Sequence, residues 1–199
     1  QKYSLIFTYL ENKSKNNFSF GSTRNSNTQK KINFIHKISD LYVFEVIGND
    51  QVKTNWSENF QDKNYDIKDY SINPKLTYFS GENNRINFIY KLSNISNLIG
   101  NQESLKQQNF GISLFLNQKE KRGFISEFNY YKNEFNGELN SVISYVMMNG
   151  LQGGENYTWS FKFQRKLSKL LDINFIYLGR KSNNIRTIHN GSIQLKAIF

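Results

Sequence analysis

From Tyr157 to Phe199 apolar side chains recur at every second position, and this periodicity constrains the chain more than any other feature. Tyr157, Trp159, Phe161 and Phe163 alternate with Asn156, Thr158, Ser160, Lys162 and Gln164. Leu171, Ile173, Phe175 and Tyr177 face away from Asp172, Asn174 and Arg180, although Ile176 and Leu178 blur the polar side. Residues 185–199 place Ile185, Thr187, His189, Gly191, Ile193, Leu195, Ala197 and Phe199 on one parity, and Arg186, Asn190, Ser192, Gln194 and Lys196 on the other. Successive strand side chains point to opposite faces, so each segment is a strand with one oily face.

The same grammar extends toward the N-terminus. Faces are formed by Leu139, Ile143, Tyr145 and Met147, by Phe124, Phe128 and Tyr130, by Phe110, Ile112, Leu114 and Leu116, and by Ile86, Phe88, Tyr90 and Leu92. Tyr70, Ile72, Leu76 and Tyr78 form another, with Pro74 tolerable at a bulge or edge and awkward within a ladder. Short polar connectors separate them, among them Gly81 to Asn84, Gln118 to Lys121, Asn136-Gly137, Gly150 to Gly154 and Ser182 to Asn184, and joints of this kind make antiparallel hairpins. The first 60 residues are less regular: Tyr3, Leu5, Phe7 and Tyr9 alternate, as do Ile32, Phe34, His36 and Ile38. Leu41 to Gly48 are expected to turn at Asn49-Asp50 into a further strand ending at Phe60. The expectation is a meander of about thirteen strands without a defensible helix. Bacterial single-chain barrels have even strand numbers, so an odd count points to a missed strand or to the C-terminal portion of a larger barrel.

Alternation alone also fits a soluble sandwich, and composition separates the two. Hydrophobic residues make up 38% of the chain and aromatics 16%, with 17 Phe and 12 Tyr. A sandwich core is built mainly from Val, Ile and Leu, whereas these faces are dominated by Phe and Tyr. Mean hydropathy is −0.64 and no apolar run reaches the length of a membrane-spanning helix, but barrel strands average to polar because half their residues face water. One proline and no cysteine exclude a disulfide scaffold, a zinc ribbon and cysteine catalysis. Gln1-Lys2-Tyr3-Ser4 carry no apolar leader, so such a segment is expected to have been removed or the chain to begin inside a larger protein. With Phe199 at the inner rim, Tyr145, Tyr157 and Tyr177 fall near the outer strand ends and Tyr130 near the inner end, the pattern of an aromatic girdle. The fold expected is all-β, an antiparallel up-and-down transmembrane β-barrel over 1–199 with its closing strand at about 185–199.

The segments Asn156-Tyr157-Thr158-Trp159-Ser160, Gln164-Arg165-Lys166-Leu167, Tyr177-Leu178-Gly179-Arg180-Lys181, Ile188-His189-Asn190-Gly191 and Ala197-Ile198-Phe199 resemble the C-terminal hairpins of large outer-membrane β-barrel proteins common in Bacteroidota. The resemblance covers about the last 60 residues. It implies a place in the cell outer membrane and a terminal aromatic, Phe199, that serves as the signal read by barrel-assembly machinery. The family covers transporters, secretion translocons and assembly partners, so the resemblance implies a location more than an activity.

No motif points to catalysis. His36 and His189 are the only histidines, and neither has a Ser or acid partner by spacing; His189 falls near the outer interface. Gly150-Leu151-Gln152-Gly153-Gly154 precedes a strand and lacks the Lys-Ser/Thr of a phosphate loop. The acidic and amide clusters lack calcium-loop spacing, and sequons such as Asn156-Tyr157-Thr158 carry no message on bacterial barrel strands. No cofactor or metal is expected. The net charge of +10 is spread without a cluster, which argues against nucleic acid. Lys75, Arg85, Lys91, Lys162, Arg186 and Lys196 share the polar parity and are expected to line a lumen, tempered by Glu127, Glu138 and Asp172. Tyr145, Tyr157, Trp159, Phe161, Phe163, Phe175 and Tyr177 are expected to face lipid or the girdle, and Lys119 and Lys121 to meet lipopolysaccharide phosphates. The expected function is a polar-lined pore or translocation channel and not an enzyme. The alternative is a scaffold subunit of an outer-membrane complex, and an outer-membrane hydrolase is the weakest reading. The connectors placed on the outer side all read as short, which argues against a receptor with long external capturing loops.

Overall fold

Ten strands carry the alternation: β1 (Tyr3–Phe18), β2 (Gly21–Lys37), β3 (Tyr42–Ser57), β4 (Tyr65–Phe79), β5 (Arg85–Asn97), β6 (Ser104–Gln118), β7 (Arg122–Asn136), β8 (Gly154–Lys166), β9 (Leu171–Ser182) and β10 (Ile188–Ala197). The computed structural model describes residues 2–118, 122–168, 170–183 and 185–197. Every strand pairs antiparallel with its neighbours in chain order, giving one up-and-down sheet. β1 and β10 occupy the two edges, and no pairing joins them among the described residues.

The registers can be followed straight across the sheet. One row, a residue from each strand, reads Tyr3, His36, Phe44, Leu76, Phe88, Ile112, Phe128, Trp159, Gly179, His189. The row beside it, on the other face, reads Ser4, Ile35, Glu45, Lys75, Ile89, Gly111, Asn129, Thr158, Arg180, Ile188. On β1 the apolar run Tyr3, Leu5, Phe7, Tyr9 starts at the first of these rows and rises above it; on β10, Ile193, Leu195 and Ala197 lie below it. The apolar band therefore crosses the rows obliquely, as strands tilted about 35–45° to a membrane normal require.

Burial is inverted relative to a soluble sheet. The oily face is open: Phe7 is 69% exposed, Ile112 50% and Phe128 46%. The polar face is closed over β4 to β8, where Thr77, Asn87, Ser93, Gln107, Ser113, Asn133 and Asn156 are all buried, while it is open along the edge strands β1 and β10. A water-soluble layer hides its apolar face against a second layer. Here curvature crowds the polar side chains on a concave side and spreads the aromatic ones over a convex side.

Several expectations need correction. Among the described residues there are ten strands and not thirteen, because β1 to β4 run for 15–17 residues each. β3 passes through Asn49-Asp50 without turning, since both residues pair on each side: Asn49 with Lys31 and Ser71, Asp50 with Lys30 and Tyr70. The segment read as a strand around Leu139 to Met147 is a connector containing a short helix, α1 (Val142–Met147). Ser141 caps it by accepting from the Ser144 amide at 3.0 Å. Ile143 and Met147 stand one helical turn apart and are both buried, while Tyr145, between them in sequence, is 68% exposed. Pro74 sits mid-strand without a bulge: pairing of β4 with β5 lapses at Asn73 and Pro74 and resumes at Lys75↔Ile89 in the same register.

Gly179 is required by its neighbour. A Cβ there would stand 2.1 Å from Cε2 of Trp159, whose indole lies across the glycine. Gly179→Val should drive the indole off the wall at a cost of about 1–3 kcal/mol. In a Trp56→Phe background, where Trp159 is the sole tryptophan, this predicts a changed emission maximum and a lower unfolding midpoint.

Candidate functional site: the concave wall and its inward connector

Defining the upper end as that of the β1–β2 hairpin, the upper connectors are residues 19–20, 58–64, 98–103, 137–153 and 183–187. The lower connectors are residues 38–41, 80–84 and 167–170, together with 119–121, which lie outside the described residues. Bacterial outer-membrane barrels pair short periplasmic turns with longer extracellular loops, and in this sheet the longer connectors are at the upper end. The expectation that all outer connectors are short fails at 137–153, where the extra strand read into the sequence conceals the length.

That connector folds inward. Ile143, Met147 and Met148 form a buried cluster with Ile67 of β4, Ile95 of β5 and Leu105 of β6, and Tyr65, Phe135, Val146 and Leu151 pack around it. Polar tethers fix its return: Asn133 Nδ2 donates to the Gln152 carbonyl at 2.9 Å and Asn156 Nδ2 to the same carbonyl at 2.8 Å. Arg180 Nη1 donates to the Gly150 carbonyl at 3.3 Å. Asn140, Asn149 and Gly150 adopt left-handed backbone at the two ends of α1, letting the chain reverse there. The connector thus leaves β7 and crosses the concave side as far as β4.

Below it the concave wall is lined by linked neutral side chains. Thr77 Oγ1 donates to Asn87 Oδ1 and Asn87 Nδ2 to Ser113 Oγ, both at 2.9 Å, spanning β4, β5 and β6. Gln107 Nε2 donates to Asn133 Oδ1 at 2.9 Å, Gln29 Nε2 to Asn49 Oδ1 at 2.7 Å and Gln51 Nε2 to Asn27 Oδ1 at 2.7 Å. Lys75, Arg85, Lys91, Lys162 and Lys196 are all on this face by register. Lys75 is ion-paired with Glu45, which also accepts from Asn33 Nδ2, and Lys196 stands opposite Asp172. Arg85 lies 4.3 Å over the Phe115 ring at the lower end. Arg186 is not on the wall, since it falls in the connector before β10. Glu127 accepts from Ser160 Oγ at 3.3 Å. Among the described residues no three His, Asp or Glu side chains come together as metal ligands.

On the convex side, Tyr157, Trp159, Phe161, Phe163, Phe175 and Tyr177 share one face, whereas Tyr145 belongs to α1 and Phe199 lies outside the described residues. Tyr130 is not at the inner end; it pairs directly with Tyr157, ring centroids 5.2 Å apart. Counting α1 as a strand reverses the direction of every strand before it, which explains the misplacement. Tyr90, Phe110, Tyr130 and Tyr157 form a continuous aromatic row across β5 to β8, at 4.4, 6.4 and 5.2 Å. His189 belongs to the oily surface too: its Nδ1 is 2.7 Å from the Tyr177 hydroxyl, and its ring stacks on Tyr177.

No protein-family model and no curated protein sequence matches the chain. Solved structures do. A loop L8 deletion mutant of OmpT, an outer membrane protein of Vibrio cholerae, is 8% identical with a TM-score of 0.60, the match covering 94% of this chain and 62% of that one. In-vitro folded OmpT from the same organism is 8% identical at a TM-score of 0.58, over 94% and 63%. The CymD monoaromatic hydrocarbon channel is 6% identical at a TM-score of 0.55, over 100% and 71%. The chain thus spans about three-fifths of the length of the OmpT chains it matches. At such identities the likeness is one of architecture, and it agrees with the inverted burial: this chain has the fold of the β-barrel proteins of the outer membrane, with its apolar face turned outward.

Proposed function

We propose that the chain is part of the wall of an outer-membrane channel, in which the concave face lines an aqueous passage and residues 137–153 narrow it near the outer mouth. The observation that carries this reading is the connector itself, held against the polar wall by α1 and three tethering side chains. A wall that only supported other subunits would gain nothing from a buried partition of this kind. The likeness to a hydrocarbon channel supports passage in general, and the neutral amides and paired charges of the wall point to small polar solutes. No catalytic role is assigned to any side chain.

Selectivity tests the lining. Lys162 stands between apolar partners on the wall, while Lys75 and Lys196 face carboxylates and Lys91 lies in electrostatic reach of Asp69, so the expected bias is toward anions and modest. Reversal potentials in planar bilayers should show it at 0.1 M salt, where charges are felt over about 10 Å, and lose it at 1 M, where the reach is about 3 Å. Cation preference would overturn the basic lining, and absence of any conductance from folded, inserted protein would overturn the channel.

A further inference from the structure

Above the apolar band, the convex face of β1 and β2 carries cations at three successive heights. Lys30 lies opposite Tyr9, the last aromatic of the band on β1. Lys13 lies higher, and Lys15 higher still, directly opposite Arg24, which in turn is opposite Trp56 of β3. At the strand rise and tilt of such barrels, Lys13 stands about 10 Å and Lys15 about 16 Å above Tyr9. All four basic side chains are exposed, and Lys13, Lys15, Arg24, Thr54 and Trp56 bound a shallow hollow of about 600 Å³.

Local acids offset the column in part and leave it with a net positive charge. Glu11 pairs with Lys13 in an exposed contact, which contributes little. Asp50 lies opposite Lys30 and Tyr70 at the lowest level. Glu58 lies in electrostatic reach of Lys15 and Arg24 and is ionised, its carboxyl held below the usual range first by Ser22, whose hydroxyl and amide both donate to it at 2.8 Å, and then by those two cations, so it offsets one of their two positive charges. Like charges facing each other across a ladder, as Lys15 and Arg24 do, are unfavourable unless an anion joins them.

We propose that this column, Lys30, Lys13, Lys15 and Arg24 with Trp56 beside it, binds the phosphorylated sugar headgroup of a lipopolysaccharide in the outer leaflet. The inference rests on the outer-membrane reading above. Spacing selects this ligand over a phospholipid: a phospholipid offers phosphate at one depth, whereas a phosphorylated glycolipid offers anions at several, over the span these cations cover. Trp56 adds an exposed aromatic face for sugar rings. At the opposite end the convex face carries Arg122 and Arg165, which oppose each other at a single level, as one phosphate layer requires.

The test uses the full chain refolded in detergent and titrated with lipopolysaccharide, with lipid A vesicles and with phosphatidylglycerol vesicles. K13Q/K15Q/R24Q should bind lipopolysaccharide roughly 10- to 100-fold more weakly. K106Q/K132Q/K181Q, which removes the same charge from the upper convex face of β6, β7 and β9, should bind like the parent. Added salt should weaken the parent and barely affect the triple variant. Equal losses in both variants, undiminished binding by the first, or equal affinity for phosphatidylglycerol would each overturn the proposal. Heat-modifiable mobility and bilayer conductance of the triple variant, measured without lipopolysaccharide, keep this outcome apart from the channel reading, because neither depends on the headgroup.

Discussion

Replacing Phe128 or Phe161 by arginine is expected to abolish accumulation of folded protein in the membrane. Phe128 lies on the row that runs from Tyr3 to His189, and Phe161 is the next convex residue below that row on β8. Both point out from the convex side with no protein layer over them. A guanidinium facing hydrocarbon near the midplane costs about 2–4 kcal/mol, and stability margins of about 5–15 kcal/mol make that a large fraction. Asn174→Arg, on the concave face of β9 opposite Gln164 and Gln194, leaves the charge in water and should assemble normally. The readout is the heat-modifiable band on an unboiled gel; equal behaviour of the two faces would reverse the assignment of oily and wet sides.

The second large effect is expected from the inward connector. Ile143→Asp combined with Met147→Asp places two carboxylates in a cluster of Ile67, Ile95 and Leu105, where an unpaired charge is strongly disfavoured, so α1 should leave the wall. The strand pairings do not depend on that cluster, and the sheet should persist. Single-channel conductance should rise at least two-fold, with the heat-modifiable band retained. Unchanged conductance in correctly folded protein would mean that residues 137–153 do not limit the passage.

How much of this could be read from sequence differs by element. β6, β7 and β8 were legible because Phe110 and Ile112, Phe124 and Phe128, and Trp159 and Phe161 each recur two residues or a multiple of two apart, and β9 because Ile173, Phe175 and Tyr177 do so although Ile176 and Leu178 blur its polar side. α1 was not, because Leu139, Ile143, Tyr145 and Met147 satisfy a strand period while Ile143 and Met147 also satisfy a helical one; only the Ser141 cap favours the helix, and a lone serine is weak evidence. The continuity of β3 through Asn49-Asp50 was hidden because a typical turn pair can equally sit inside a ladder whose wet side needs amides. The tethers from Asn133, Asn156 and Arg180 join positions far apart in the chain, and nothing local marks them. The basic residues showed their parity but not their partners: pairing of Lys75 with Glu45 needs the β3–β4 register.

The amide chain along the wet wall bears on how this sheet avoids misassembly. A slip of one residue between adjacent strands exchanges the two faces of everything beyond it, and the aromatic side alone resists that by moving Phe and Tyr into water. Here the opposite side resists as well. Sliding β5 by one position against β4 and β6 would part Asn87 from both Thr77 and Ser113 and turn its amide toward hydrocarbon, where no partner exists. The same holds for Gln107 with Asn133 and for Gln51 with Asn27. An incorrect alignment is therefore penalised twice, once by each solvent, and the correct one is checked from the water side at β2–β3, β4–β5, β5–β6 and β6–β7.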